Sequence, residues 1–303
     1  MSDQNTDLKH VSDDALKEMV MIQNRIKQLG VKEKSQTDFI EYVKHVWDGF
    51  IEGEHHKLFA EKLERVAQGK CKRLIVNMPP RHTKSEFASV FFPSWIMGLN
   101  PDMKIMQTTH TAELSARFGR KVRNLMDTDE YKQIFDKVSL SADSKSAGRW
   151  ETNKGGEYFA AGVGGAITGR GADLLIIDDP HSEQDALSPS ALESAYEWYT
   201  SGPRQRLQPG GIIVIVMTRW STLDLTEKLI KRMSEEHADQ WEILELPAVM
   251  EDNTPLWPGY WKIEELESVK ASLPVAKWNA QYMQNPTSEE GALIKRDWWQ
   301  IWE

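Results

Sequence analysis

The chain has 303 residues, with 37 Lys or Arg against 46 Asp or Glu, so its formal net charge is −9. This balance excludes a wholly basic protein that coats nucleic acid. The longest apolar runs, such as residues 211–217, are far shorter than the roughly 20 residues that span a bilayer, so we expect no membrane association. The single cysteine, Cys71, and the polar N-terminus predict a cytosolic protein.

The N-terminal part of the chain predicts helices. Ser12 is a suitable N-cap for an amphipathic helix over residues 13–29, which Gly30 would end. The polar residues 31–37 predict a linker. Helical spacing then returns over residues 39–46 and 55–68.

From residue 73 onward, short apolar runs alternate with helical stretches. This pattern is typical of an α/β fold in which a mainly parallel sheet is flanked by helices. The predicted strands are residues 74–77, 104–108, 174–177, 212–217 and 241–246, and the predicted helices are residues 84–99, 112–126, 191–201 and 223–234. We therefore predict an N-terminal helix and linker (1–36), a core (37–246) and a small C-terminal subdomain or linker (247–303).

The stretch RLIVNMPPRHTKSE, residues 73–86, runs from an apolar strand through a tight loop to a helix that opens with Lys84 and Ser85. In a phosphate-binding loop, N–H groups at the helix start face an anion, the lysine reaches the β and γ phosphates, and the hydroxyl binds magnesium. The usual GxxxxGK[ST] pattern would have glycine at Met78 and Thr83, and a β-branched Thr resists the dihedrals that glycine adopts. A plain strand, turn and helix with a solvated lysine is the alternative.

A second motif, ADLLIIDDP at residues 172–180, is an apolar run that ends in Asp178 and Asp179. In P-loop ATPases such a strand holds a magnesium-coordinating Asp at its tip, and the next acid polarises the attacking water. The alternative is a surface loop with a turn before Pro180. The occurrence of both motifs in this order favours a nucleotide site.

Two further motifs suit such a site. Thr218 follows a predicted strand and can hydrogen-bond the γ-phosphate region, whereas Arg219 and Trp220 could instead form a surface stack at the sheet edge. Arg170 lies in the glycine-rich residues 162–173, where a guanidinium could act as an arginine finger on a neighbour's phosphate or remain a solvated loop side chain.

The predicted helix over residues 112–126 carries four cations within two turns, Arg117, Arg120, Lys121 and Arg123. They form either a face that contacts DNA phosphates or another subunit, or a solvated helix face.

Together MPPRHTKSE, TGRGAD, LLIIDDP, VMTRW and the tail WNAQYMQNPTSEEGALIKRDWW resemble the large terminase subunit of tailed bacteriophages, over roughly residues 45–299. The resemblance implies an additional-strand (ASCE) P-loop ATPase domain that drives double-stranded DNA into a procapsid, in the cytoplasm of the infected host. ATP and Mg²⁺ are the implied cofactors. The implied partners are DNA, the portal protein, the small terminase subunit and further copies in a ring, expected to be pentameric. A nuclease domain would follow beyond residue 303, so we expect no nuclease activity from this chain.

The resemblance also assigns roles to individual residues. Asp179 stands where a catalytic Glu is common, so the water-orienting carboxylate is one methylene shorter. The implied nucleotide-binding residues are Pro80, Arg81, His82, Thr83, Lys84, Ser85 and Glu86, the implied magnesium ligands are Ser85 and Asp178, and the implied catalytic residues are Asp179, Arg170, Arg81 and Thr218.

Three other functions remain open. One is a helicase-like P-loop ATPase, which would need a second domain that contributes arginines across a cleft. Another is a metal nuclease that uses Asp178, Asp179 and Glu183 without ATP. The third is a nucleotide-binding scaffold that has lost turnover through Thr83.

Overall fold

The computed structural model describes residues 13–142, 146–167 and 169–287. In these ranges a seven-stranded sheet has the order β3-β4-β2-β5-β6-β1-β7. All neighbouring strands are parallel except the antiparallel pair β3 and β4. The strands are β1 (Arg73–Asn77), β2 (Lys104–Thr109), β3 (Arg149–Glu151), β4 (Glu157–Gly162), β5 (Ala172–Asp178), β6 (Leu207–Met217) and β7 (Glu242–Glu245).

Helices cover both faces of the sheet. Leu174 and Ile176 of β5 pack into one apolar cluster, and Leu175 and Ile177 pack into another on the opposite face, because successive strand residues point to opposite sides. The helices are α1 (Asp13–Thr37), α2 (Phe39–Val46), α3 (Glu54–Ala67), α4 (Lys84–Glu86), α5 (Phe92–Leu99), α6 (Ala112–Met126), α7 (Asp129–Ile134), α8 (Pro189–Ser201), α9 (Leu225–Arg232), α10 (Ile263–Ser272) and α11 (Val275–Gln281).

The α/β class and all five predicted strands are confirmed, and two strands were missed. Strand β3 has only three residues. Strand β4, EYFAAG, ends in two alanines and a glycine, which have low strand propensity, so its sequence carries little strand signal. The missed pair forms one edge of the sheet.

The predicted linker over residues 31–37 is wrong, because α1 continues through Gly30 to Thr37. A Cβ at Gly30 would meet nothing within 4 Å, and one exposed glycine costs a helix only about 1 kcal/mol. The last turns are held by tertiary contacts, since Trp95 Nε1 donates to Ser35 O at 2.9 Å. The break comes at Asp38, whose carboxylate caps α2. The predicted cap Ser12 lies outside the described residues.

The predicted helix over residues 84–99 is helical throughout but contains a π-helical turn, Phe87–Phe91, between α4 and α5. Pro93 lies near the start of α5 and has no N–H for the bond to the fourth preceding carbonyl, which favours a local change of helical register. Such turns are frequent at functional sites.

After β7 the chain forms α10 and α11, where Ala248, Leu266 and Trp278 make a small apolar cluster of their own. The proposed division into three parts stays a prediction. No helix in the described ranges is long and apolar enough to cross a membrane. The tail motif beyond Thr287 lies outside the described residues.

Candidate nucleotide-binding site

The loop between β1 and α4 has a conformation suited to binding an anion. Arg81 and Thr83 have positive φ angles of 62° and 67°, and left-handed residues that alternate with ordinary ones turn successive N–H groups toward one point. The Thr83 side chain does not cap the helix that begins at Lys84. The first N–H groups of this helix are therefore available to a phosphate.

Thr83 adopts the left-handed conformation that its β-branched side chain disfavours, and hydrogen bonds hold it there. The N–H of Gly53 donates to Nδ1 of His56 at 2.9 Å, so the hydrogen of this imidazole is on Nε2. That Nε2 donates to Thr83 Oγ1 at 2.7 Å, and the hydroxyl donates to His82 O at 2.5 Å. His56 therefore supports the loop where glycine is usual.

Three buried histidines lie behind the loop. His82 Nδ1 is 2.8 Å from Pro80 O, and its ring stacks on Trp261 at a centroid distance of 6.0 Å. Burial lowers the pKa of His82 and of His55 to about 4 and that of His56 to about 2, so all three are neutral near pH 7. The His82 side chain thus packs behind the loop and does not line the cleft in front of it.

The paired carboxylates at the end of β5 meet the phosphate loop. Asp179 Oδ2 is 2.9 Å from Nζ of Lys84, and Asp178 Oδ1 accepts a 3.0 Å hydrogen bond from Ser85 Oγ. Ser89, one helical turn after Ser85, donates to Asp178 Oδ2 at 2.7 Å. Both predicted acids therefore contact the two residues that open the helix.

Burial and the neighbouring charges shift the pKa values of Asp178 and Lys84. Burial, followed by the neighbouring Asp179 carboxylate, raises the pKa of Asp178, which is 1% exposed. Burial opposes the charged form of Lys84, but the Asp179 and Asp178 carboxylates outweigh it and raise the pKa of the ammonium. The lysine is therefore a cation in place for phosphates.

Ser85 and Asp178 fit the requirements of Mg²⁺. The ion prefers oxygen ligands at about 2.0–2.1 Å in octahedral geometry, in which adjacent ligands are about 3 Å apart. The Ser85 and Asp178 oxygens are 3.0 Å apart. Glu183, the third acid of the nuclease alternative, is exposed and pairs with Lys277 at 2.7 Å.

Thr218 connects the second carboxylate to the phosphate loop. Its N–H donates to Asp179 Oδ1 at 2.8 Å, and its hydroxyl donates to Met78 O at 3.3 Å. The next residue, Arg219, is only 4% exposed, and its N–H donates to Gln284 Oε1 at 3.2 Å.

The surface-stack alternative for Arg219 is therefore wrong. Its guanidinium is buried against the carboxylates of Asp224 at 3.0 Å and Glu227 at 2.7 Å. These acids belong to the cap and first turn of α9, so Arg219 anchors this helix to the end of β6. Trp220 packs half-buried against an apolar cluster.

Arg170 lies apart from the phosphate loop of its own chain. Its guanidinium carbon is 4.1 Å from the ring centroid of Phe159 on β4, within the range of a cation–π contact. It does not line the cleft at the phosphate loop. Its neighbour Thr168 lies outside the described residues. The role of Arg170 toward a second subunit stays a prediction.

A cleft of about 270 Å³ lies in front of the phosphate loop. One wall comes from the loop and the start of α4, and the other comes from α6. Its lining residues are Arg81, Thr83, Lys84, Ser85, Glu86, Leu114, Arg117, Phe118 and Lys121.

Sequence reasoning missed residues that support the site. Gln107, in the middle of β2, donates from Nε2 to Ser89 Oγ at 3.0 Å, and Ser89 in turn donates to Asp178. A glutamine in the middle of the predicted strand KIMQT was the available signal, because a polar side chain that a central strand buries needs a hydrogen-bond partner. His56 gave no such signal, because its partner lies 27 residues away.

The sheet order defines the class of fold. Strand β6 lies between β1, which leads into the phosphate loop, and β5, which carries the paired acids. An additional strand in this position characterises the ASCE P-loop ATPase fold, and the flanking helices complete it.

Comparison with known structures agrees with this fold. Neither a protein-family model nor a curated protein matches the chain. The crystal structure of the HK97 bacteriophage large terminase is similar, with a TM-score of 0.50 and 11% identity over 78% of this chain and 51% of that one. A mutant of the Thermus phage P74-26 large terminase ATPase domain has a TM-score of 0.50 and 12% identity over 82% of this chain and 98% of that one. This chain therefore has the fold of phage large terminase ATPase domains and spans about half the length of the HK97 protein.

Proposed function

We propose that the chain is the Mg²⁺-dependent ATPase motor of a phage DNA-packaging terminase. It would couple ATP hydrolysis to the translocation of double-stranded DNA into a procapsid. The observation that carries the proposal is the contact of Lys84 and Ser85 with Asp179 and Asp178 at the ends of β1 and β5. The fold shared with the HK97 and P74-26 terminases supports it.

The chain's own residues account for the hydrolytic step. The triphosphate would bind the loop N–H groups and draw the Lys84 ammonium from Asp179, which frees Oδ2 of this carboxylate to orient a water molecule. Water would attack the γ-phosphorus as the bond to the ADP oxygen breaks. Ser85 and Asp178 would hold Mg²⁺, which neutralises charge on the phosphates.

The contacts of Thr218 suggest how hydrolysis is transmitted. The Asp179 carboxylate accepts one hydrogen bond from the Thr218 N–H on one oxygen and pairs with Lys84 through the other. A change at Lys84 would therefore shift Thr218, and with it Arg219, which contacts Gln284 near the end of the described chain. These contacts support the coupling role that the resemblance implies for Thr218.

The remaining partners follow from the proposed motor function. A packaging motor acts as a ring, so Arg170 would complete the site of a neighbouring copy. The expected partners are double-stranded DNA, the portal protein and the small terminase subunit, in the cytoplasm of the infected host. We do not favour the nuclease alternative, because Glu183 pairs with Lys277.

A phosphate-release assay with and without DNA tests the proposal. Lys84→Ala and Asp178→Asn should each be nearly inactive, because one loses charge neutralisation at the phosphates and the other loses a magnesium ligand. Lys70→Ala, an exposed lysine just before β1, is the matched control and should keep wild-type turnover. If both site variants hydrolyse saturating ATP at the wild-type rate, the site assignment is wrong.

A further inference from the structure

The wall of the cleft opposite the phosphate loop belongs to α6. Leu114, Arg117, Phe118 and Lys121 lie on one face of this helix because they are three or four residues apart. Phe118 is buried, whereas the two cations are exposed. Two of the four basic residues of α6 therefore face the phosphate loop, and Arg120 and Arg123 do not line the cleft.

The charges that line this cleft are predominantly positive. Arg81, Lys84, Arg117 and Lys121 face a single acid, Glu86. Lys121 Nζ is 3.7 Å from Glu86 Oε1, and Lys84 pairs with Asp179, the residue after β5. Glu86 thus contacts the opposite wall of the cleft.

Arg117 differs from these lysines, because it forms no ion pair or hydrogen bond with any residue of the described ranges. Arg117 is exposed and lines the same cleft as the loop, whose N–H groups and lysine are arranged for phosphates. A guanidinium binds phosphate oxygens through two parallel hydrogen bonds, which an ammonium cannot do. A bound triphosphate would supply the negative charge that this cleft lacks.

We propose that Arg117 binds the terminal phosphate of ATP in cis, within the subunit whose phosphate loop holds that nucleotide. The inference rests on the proposed ATPase function. The terminal phosphate is the target because the cleft includes Lys84, which reaches the β and γ phosphates, and Ser85, the magnesium hydroxyl. Arg117 and Arg170 then have different tasks, one within the subunit and one toward a neighbour.

Direct binding measurements test the contact. Titration with fluorescent ATPγS and ADP analogues should give an ATPγS Kd about ten- to a hundredfold weaker for Arg117→Ala, the loss expected for a charged hydrogen bond, and a smaller change for ADP. Arg120→Ala is the matched control on the same helix and should bind as wild type. Arg117→Lys should recover part of the affinity. If Arg117→Ala and Arg120→Ala bind ATPγS equally well, the inference is wrong, whereas failure of the wild-type protein to bind would overturn the proposed function itself.

Subunit mixing tests the assignment in cis. In a mixture of Arg117→Ala with Lys84→Ala protein, every site lacks one of its own groups, so ATPase activity should stay at the level of the separate variants. A mixture of Arg170→Ala with Lys84→Ala should regain activity if Arg170 acts across the interface, which provides the positive control. Recovery in the Arg117 mixture would show that this arginine serves a neighbouring site and would overturn the inference.

Discussion

Exchanging Thr83 for glycine and His56 for phenylalanine, singly and together, tests how this loop adopts its conformation. The left-handed conformation costs a residue such as Thr roughly 1–2 kcal/mol. A neutral hydrogen bond contributes about 0.5–1.5 kcal/mol, and Thr83 makes two of them, one from His56 and one to His82 O. The bonds are therefore large enough to offset the strain.

Each single variant should lose this balance. His56→Phe leaves Thr83 strained without its donor and the Gly53 N–H without its acceptor, and we expect it to lower the free energy of unfolding by about 2 kcal/mol. Thr83→Gly relieves the strain but leaves the His56 N–H buried and unpaired, a cost of about 1–3 kcal/mol. In the double variant the strain at position 83 and the unpaired N–H at position 56 both disappear, and only the Gly53 N–H lacks its acceptor, while the aromatic ring at position 56 can keep its packing on Phe87 at a centroid distance near 4.9 Å. The double variant should therefore be more stable than His56→Phe alone, and its loss should be smaller than the sum of the two single losses.

Urea unfolding monitored by circular dichroism gives the stabilities, and ADP-analogue titration shows whether the loop still binds nucleotide. Pairing Thr83→Gly with a change at the exposed His237 provides a distant control that should show no coupling. Losses that add within about 0.5 kcal/mol in the His56 and Thr83 pair would mean that the two residues act independently. His56 would then not hold Thr83 in its left-handed conformation.

Three other predictions concern pH, assembly and DNA. Below about pH 6.5 the three histidines His55, His56 and His82 become protonated in the unfolded chain, whereas in the folded protein they stay neutral until about pH 4 or lower, so lowering the pH near pH 5 should reduce the free energy of unfolding by about 4 kcal/mol per pH unit. Above pH 7 these groups should contribute little pH dependence, and a slope that is unchanged when all three are replaced by Phe would contradict the prediction. Specific ATPase activity should rise with protein concentration by up to about 10³–10⁵-fold, and Arg170→Ala should abolish this rise without weakening nucleotide binding. If the variant shows the same rise as the wild-type protein, Arg170 does not act on a neighbouring site. Plasmid incubated with Mg²⁺ and no ATP should stay intact, and nicking that disappears in Asp179→Ala would support the nuclease alternative.

The central strands could be predicted because the fold buries them on both faces. Their sequences are continuous apolar runs, as in LLII of β5, and such runs stand out from any helical pattern. Strand β4, which lies next to the edge strand β3, alternates less clearly and contains small residues, so it was missed. The end of α1 was misassigned because the contact that stabilises it, between Trp95 and Ser35, joins residues 60 positions apart.

The site was predictable where it follows directly from strand ends. Asp178 is the last residue of β5 and Lys84 follows β1 after the loop of residues 78–83, and parallel strands bring their carboxyl ends to one edge of the sheet. His56 and Arg117 approach the same loop from helices whose positions depend on packing. No local pattern in the sequence specifies which faces of these helices are turned toward the loop.

The two departures from the usual P-loop pattern have one structural explanation. A glycine requirement is a requirement for a backbone conformation, and Thr83 adopts that conformation with the help of His56. Asp179 likewise has a positive φ of 42°, and its N–H donates to Val216 O at 2.9 Å, which fixes where the short carboxylate points. From there it reaches both Lys84 and the Thr218 N–H. Neighbouring residues thus hold the backbone at Thr83 and at Asp179 in these conformations, and we expect variants of those neighbours to lower the proposed ATPase activity.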